Sequence, residues 1–294
     1  VTGRIKKMSK MTPLLLLLIA SHFLLLSDGA IKWETDWQHT LKTAIVEKQP
    51  VFMDFYTDWC PPCKKLNAVT FKDAAVIEYF KKENYVLIKV NPEKDQVAES
   101  TFKVYSYPTL IVFNPDGTEL DRMLGYKDPK ELIKSLEDLK EGIGTLDDLL
   151  NRYKKCNKED KSIAKFELMF AISDKYIARA DYPQALKMID RIIELDKENI
   201  QKQASSALYQ TGYIYYKWKK YQKAIDAMLS IHMVYPGSEE AVDGYTAAAF
   251  YAEKIKDNEG ALKILRNFIK AYPNSKYTER SRKRIKKLEE SVKK

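Results

Sequence analysis

Between residues 31 and 141 short apolar runs alternate with amphipathic stretches. Trp37, Leu41, Ala44 and Ile45 recur at helical spacing, and "PVFMDFY" (50–56) follows as a compact apolar strand. The pattern then repeats. "FKDAAVIEYFKKEN" reads as an amphipathic helix, "YVLIKVN" as a strand, "QVAESTFKVY" as a helix and "TLIVFN" as a strand. "TELDRMLGY" is a last strand, and "DPKELIKSLEDLKE" a closing helix announced by Asp128-Pro129. The turn "NPDG" makes the last two strands antiparallel partners. Parallel βαβ units followed by a hairpin and a helix predict a central sheet covered by helices.

The pattern changes after "KEGIGTLDDLL", where Gly142 and Gly144 break the closing helix. Strand-like alternation nearly disappears, and one theme recurs. "DYPQALKMIDRIIELDKEN", "KYQKAIDAMLSIHMVYPGS" and "DNEGALKILRNFIKAYPNS" align on Ala185, Ala224 and Ala261, spaced by 39 and 37 residues. Twelve residues before these alanines stand Ser173, Gly212 and Ala249, and nine before stand Tyr176, Tyr215 and Ala252. Small residues there let paired helices approach closely. Pro236 and Pro273 end the second helix of two units, whereas the first has Lys197 at that place. The stripe "YQTGYIYYKW" reads chiefly as core packing, with Tyr216 or Trp218 as candidates for a groove wall. "KYTERSRKRIKKLEESVKK" reads as a basic capping helix with a polar outer face. The division predicted is 1–30 signal segment, 31–141 α/β domain, 142–159 linker and 160–294 helical repeat domain.

Charge supports the division. Residues 31–141 carry 16 basic and 19 acidic residues, net −3, whereas 142–294 carry 30 basic and 21 acidic, net +9. The first 30 residues differ again: Arg4, Lys6, Lys7 and Lys10 precede the apolar run "PLLLLLIASHFLLL" and the small, turn-forming "SDGA". This is the three-part pattern of a secretory signal peptide, cleaved after Gly29 or Ala30. The run falls short of the roughly 20 residues that span a bilayer, although an uncleaved amino-terminal anchor is the alternative. The expected location is therefore periplasmic or secreted. For an exported chain the basic excess argues against a nucleic-acid partner and for a solvated face, an acidic protein partner or peripheral contact with an anionic membrane.

The candidate chemistry lies in "DFYTDWCPPCKK" (54–65), where Cys60 and Cys63 stand just past a buried strand at the start of a helix. The helix dipole and free N–H groups stabilise a thiolate there, making Cys60 the nucleophile and Cys63 the resolving thiol. A c-type haem needs His directly after the second Cys, and Lys64 stands there. A structural zinc needs about four ligands, whereas Cys156, His39 and His232 are the other Cys and His after residue 30, with no second close-spaced pair. A redox-active disulfide is expected, with no metal and no organic cofactor. Pro61 and Pro62 remove two backbone donors near the sulfur, which places the expected potential towards the reducing end. Cys156, amid the charges of "NRYKKCNKED", reads as a partly buried, unreactive helical thiol.

Residues 31–141 resemble a thioredoxin-fold redox domain. The resemblance rests on "WCPPCK", on Asp54 six residues before the first Cys, on "YPT" (107–109) and on Gly125. "DFYTDWCPPCKKLNAVTFKDAAV" and the long approach "NPEKDQVAESTFKVYSYPT" are similar to the carboxy-terminal periplasmic domain of DsbD-type thiol:disulfide interchange proteins. Pro61 departs from thioredoxin, which has Gly there. The likeness implies that Asp54 is a buried carboxylate accepting the proton of the resolving Cys, and that Lys89 partners it; a strand-end aspartate and a snorkelling lysine are the plain alternatives. It implies a cis peptide bond before Pro108, with the Tyr107 backbone free for an extended substrate, and Trp59 shielding the thiolate and touching partners. Residues 160–290 resemble a tetratricopeptide repeat, with a period longer than the usual 34.

Together these readings imply an exported thiol:disulfide oxidoreductase, a reductase of protein disulfides, whose repeat domain recruits proteins. Its partners would be clients bearing disulfides or thiols and a membrane electron donor. The alternatives are an envelope scaffold in which the repeat domain is primary, or an oxidase or isomerase of the same fold.

Overall fold

A computed structural model describes residues 31–292; the expected signal segment lies outside the described residues. The first half contains α1 (Trp37–Val46), β1 (Val51–Phe55), α2 (Pro61–Ala68), a 3₁₀ turn (Thr70–Lys72), α3 (Ala74–Lys82), β2 (Val86–Val90), α4 (Gln96–Phe102), β3 (Thr109–Phe113), β4 (Glu119–Leu124) and α5 (Pro129–Lys140). The stretch 71–84, expected as one helix, is interrupted at Asp73. Its carboxylate accepts the N–H groups of Ala75 and Val76 at 2.9 and 3.3 Å and starts α3 afresh.

The strands form one mixed sheet in the order β2-β1-β3-β4. β1 and β2 are parallel, as expected for a βαβ unit, but β3 is antiparallel to both β1 and β4, so the second crossover is not a parallel unit. The connection 91–108, with its seven-residue α4, returns the chain to the end of the sheet that it left, so Thr109 enters opposite Phe55 at the end of β1 and β3 runs antiparallel.

β1 and β3 are buried throughout, and alternate side chains fill two layers. Phe52, Leu110, Leu132 and Leu136 pack with Leu66 on one face, and Met53, Phe55, Ile88 and Ile111 pack on the other. Asp54 follows Phe52 by two positions and therefore points towards the layer that holds α2.

The segment 142–159, expected as a linker, carries helix α6 (Leu146–Lys155). Its Leu149 packs on Leu168 and Ile172. Three antiparallel helix pairs follow: α7 (Ile163–Ala178) with α8 (Tyr182–Leu195), α9 (Gln203–Lys217) with α10 (Tyr221–Val234), and α11 (Glu239–Lys254) with α12 (Asn258–Ala271). The capping helix is α13 (Thr278–Val292). Ala185, Ala224 and Ala261 are fully buried. The small residues opposite them make the close approaches expected: Ser173 donates its hydroxyl to the Ala185 carbonyl at 3.3 Å, and a Cβ on Gly212 would lie 2.9 Å from the Met228 side chain. Pro236 and Pro273 stand two residues past α10 and α12. Where the first unit lacks proline, Asp196 ends α8 and accepts the Gln203 N–H at 2.8 Å. Among the described residues no helix is long and apolar enough to cross a membrane.

The halves meet where α7 covers the edge strand β4. The Asp121 carboxylate, wholly buried, accepts from Lys175 Nζ at 2.5 Å and Arg179 at 2.7 Å. Arg122 reaches back, donating to the carbonyls of Phe102 at 2.8 Å and Ala178 at 3.2 Å while its Nε holds Glu119 at 2.8 Å. Removing one member of a buried ionic cluster strands the others. Asp121→Ala should therefore destabilise the protein by about 3 kcal/mol in urea titrations. Lys134→Ala, which breaks the exposed Lys134–Asp138 pair, should cost less than about 0.5 kcal/mol.

Candidate active site

Two connections at one end of the sheet, and a pair of strand residues beneath them, build the site. The first follows β1. Cys60 caps α2, and its Sγ accepts the Cys63 N–H at 3.2 Å. Pro61 and Pro62 occupy the opening positions of the helix, where a missing N–H breaks no helical bond. They also remove the donors that would otherwise surround the sulfur, which leaves the Cys63 N–H facing it. Cys60 and Cys63 form a disulfide with Cα atoms 5.3 Å apart. Both are buried, at 2% and 1% exposure.

The second connection enters β3. The Tyr107–Pro108 bond is cis, as the resemblance implied. Because β3 starts opposite the end of β1, Pro108 arrives beside the segment that leads to Cys60. Its carbonyl accepts the N–H of Gly125, at 2.9 Å. Gly125 lies one residue beyond β4 rather than within it, at φ +80°, a conformation that glycine adopts without strain. The Tyr107 hydroxyl donates to Glu99 at 2.7 Å, whereas its backbone N–H and carbonyl make no hydrogen bond among the described residues. Trp59 is 63% exposed; its indole N–H donates to Glu93 at 2.9 Å, and its ring meets the Tyr107 ring edge-on at 6.1 Å. Glu93, Glu99 and Asn67 had no distinguishing signal in the sequence, because each acts through a neighbour brought close by the fold.

The third element is the pair beneath. Asp54 on β1 and Lys89 on β2 are register partners. Asp54 is 1% exposed, its Oδ2 lies 3.6 Å from Lys89 Nζ, and its Oδ1 has no hydrogen-bond partner among the described residues. Burial pushes the Asp54 pKa up to about 6, and Lys89 offsets only part of that rise. Burial also lowers the Lys89 pKa, against the opposing pull of Asp54. The ammonium is bonded to Asn67 and lies over Trp33 at 4.9 Å and Tyr56 at 5.0 Å, so it does not snorkel to water. Cys63 and Leu66 share the inward face of α2 by their three-residue spacing. That face covers the sheet layer towards which Asp54 points. A carboxylate that titrates near 6 in this layer is chemically able to exchange a proton with a thiol.

Cys156 lies apart, just past α6, half-buried with its Sγ 3.5 Å from the Arg152 carbonyl.

The Asp54 shift carries a stability cost of defined sign. Since the folded-state pKa of about 6 exceeds the ordinary 3.8, the folded chain binds more protons than the unfolded chain between those values. Ionisation of Asp54 thus destabilises the fold as pH rises through 6. Relative to Asp54→Asn, the parent protein should lose about 2–3 kcal/mol of unfolding free energy between pH 4 and pH 8. Denaturant titrations of both proteins in oxidised form across that range measure the difference.

Comparison with known proteins places this geometry. Residues 37–140 match a thioredoxin-like domain, and residues 206–238 and 245–275 match tetratricopeptide repeats. Thioredoxin from Chlamydia muridarum is 37% identical over 84 residues, covering 29% of this chain and 76% of its own length. The thiol:disulfide interchange protein DsbD of Campylobacter jejuni is 33% identical over 93 residues, 30% of this chain. The chain spans only 16% of the length of that DsbD relative. The crystal structure of the carboxy-terminal domain of Neisseria meningitidis DsbD in the oxidised form is 23% identical, with a TM-score of 0.33, covering 36% of this chain and 98% of its own. The chain belongs to the thioredoxin family, with a thioredoxin-like domain that carries the Cys60–Cys63 pair followed by tetratricopeptide repeats.

Proposed function

We propose that this protein is an exported thiol:disulfide oxidoreductase that reduces disulfides in client proteins. The observation that carries the reading is the Cys60–Cys63 disulfide at the head of α2, with cis-Pro108 beside it and the buried Asp54 in the layer below. In the reduced enzyme the Cys60 thiolate attacks one sulfur of a client disulfide. The client S–S bond breaks, a mixed disulfide forms at Cys60, and the first client thiolate leaves. Asp54 takes the proton of Cys63, whose thiolate then attacks Cys60 Sγ. The Cys60–Cys63 bond forms as the mixed disulfide breaks, and the second client thiolate leaves. Two electrons have passed to the client, and a thiol donor must restore them. A membrane electron-donor protein is the proposed source.

Direction rests on Pro61 and Pro62. A thiolate at Cys60 has the Cys63 N–H as its nearby backbone donor, and a less stabilised thiolate gives a more reducing couple. The amino-terminal pattern of lysines and apolar residues supports export. In this reading the repeat domain recruits proteins, and the Tyr107 backbone meets an extended client.

Equilibration with thiol buffers followed by thiol alkylation should give a reduction potential near about −270 mV, like thioredoxin; a value near about −120 mV would make the protein a disulfide donor. Cys63→Ser should accumulate client proteins joined to Cys60 that dithiothreitol releases. Cys60→Ala should trap none, and an empty Cys63→Ser trap in the native host would count against the enzymatic role. Asp54→Asn should slow the resolving step at least tenfold at neutral pH while sparing the first attack, as seen in single-turnover reduction of a disulfide peptide.

A further inference from the structure

Phe102 is the last residue of α4 and Ala178 the last of α7. The final carbonyls of a helix have no partner within it, and the negative end of the helix dipole lies there. Both of these carbonyls accept from one nitrogen, Arg122 Nη1, at 2.8 and 3.2 Å. The rest of the guanidinium is engaged as well: Nε donates to Glu119 at 2.8 Å, and Nη2 bonds the second Glu119 oxygen. One buried fork therefore ties an end of α4, in the α/β domain, to an end of α7, in the helical domain. A lysine does not reproduce this bridge, because its compact ammonium lacks the planar spread of donors.

α4 carries the loop that borders the dithiol. The Val104 N–H donates to the Glu99 carbonyl at 3.0 Å, and the Tyr107 hydroxyl donates to the Glu99 carboxylate at 2.7 Å. Both ends of the loop thus hang on a single residue of α4. Lys103, between helix and loop, stands at φ 51°, a left-handed conformation that costs a residue with a Cβ energy and needs support from its neighbours. Tyr107 meets the Trp59 ring edge-on at 6.1 Å, and Trp59 precedes Cys60 in the chain.

The two ends of α4 are fixed by different parts of the molecule. At the start, the Asp95 carboxylate accepts the Ala98 N–H at 3.0 Å and the Trp37 indole N–H at 2.6 Å, so this end rests on α1. At the other end the helical domain takes part, through Arg122. Glu99 lies three residues before Phe102, less than one helical turn. A shift of the Phe102 end therefore moves the Glu99 anchor, and the loop with it.

We propose that Arg122 is a positioning residue for the reaction at Cys60. By bridging α4 to α7 it makes the helical domain a buttress of the cis-proline loop, and so holds Tyr107 and Trp59 where a client disulfide must lie to be attacked. This inference rests on the oxidoreductase reading above. Misplacement by about 1 Å lowers the rate of an oriented reaction by as much as about 100-fold.

The test uses the reduced full-length protein with two reagents, a disulfide-bonded peptide and iodoacetamide. Iodoacetamide is too small to need the loop, so its rate of alkylation at Cys60 reports the thiolate alone. The ratio of kcat/KM for the peptide to the alkylation rate then isolates positioning. Arg122→Lys, which keeps the charge but not the fork, should lower this ratio about tenfold. Glu99→Ala should lower it to a similar extent, and Glu99→Gln, whose amide oxygen still accepts from Tyr107, should restore most of it. Because both residues act through one loop, the double variant Arg122→Lys with Glu99→Ala should be no slower than the slower single variant. Phe268→Leu removes volume from the buried core of α12, away from the bridge, and should lower stability while leaving the ratio unchanged. A parental ratio in Arg122→Lys, losses that multiply in the double variant, or an equal loss in Phe268→Leu would overturn the positioning role and leave the reductase standing. If the parent protein does not reduce the peptide, the oxidoreductase reading fails, and this inference falls with it.

Discussion

The place at which β3 enters the sheet, beside the end of β1, is the constraint on which the rest of the structure depends. The connection 91–108 leaves β2 and comes back to the same end of the sheet, so β3 runs antiparallel to β1. The loop before β3 therefore lies where β1 releases the chain into α2. This places Pro108 next to the cysteine pair. It also sets β4 at the sheet edge, where α7 covers it. Unpaired edge strands invite association, and here one side of the edge serves as the seat of the helical domain. The active-site loop and the interdomain cluster are thus two consequences of one topological turn.

Beneath the site the protein retains an unfavourable arrangement. Among the described residues Asp54 has a buried oxygen without a hydrogen-bond partner, and its ion-pair partner Lys89 lies 3.6 Å away. A fold selected for stability alone would replace the pair with apolar residues. Burial is also what brings the carboxylate into the range where it can exchange a proton with a thiol at neutral pH. The rings of Trp33, Tyr56 and Phe71 around Lys89 hold the ammonium without supplying a second carboxylate. A second carboxylate would raise the Asp54 pKa further, by like-charge repulsion. Stability and reactivity are opposed at this one side chain.

The interdomain cluster uses charge differently. Asp121 accepts from two cations and Arg122 donates to two carbonyls, so each charge has several partners. Such a network fixes orientation through geometry as well as attraction.

Local features were legible in the sequence because local chemistry produces them. The Cys60–Cys63 pair at a strand-to-helix junction, the Asp128 cap, the Pro236 and Pro273 stops and the buried alanines all follow from spacing and from the backbone limits of particular residues. Periodicity likewise marked the helix-covered sheet and the helical repeats. The antiparallel entry of β3 was not legible, since alternation reports which faces are buried but not the direction in which a strand runs. Glu93 on Trp59, Asn67 on Lys89 and the Asp121–Arg179 cluster were equally silent, for they join residues 22 to 58 positions apart. Helical phase divides the tyrosine stripe: Tyr216 stacks on Tyr251 beside Phe250, whereas Trp218, just past α9, stacks on Tyr182 and Tyr215. What the sequence determined by itself was therefore the elements and the reactive pair. The tertiary structure decided which polar groups meet, because burial, and with it the pKa of Asp54, exists only when separate segments exclude water together.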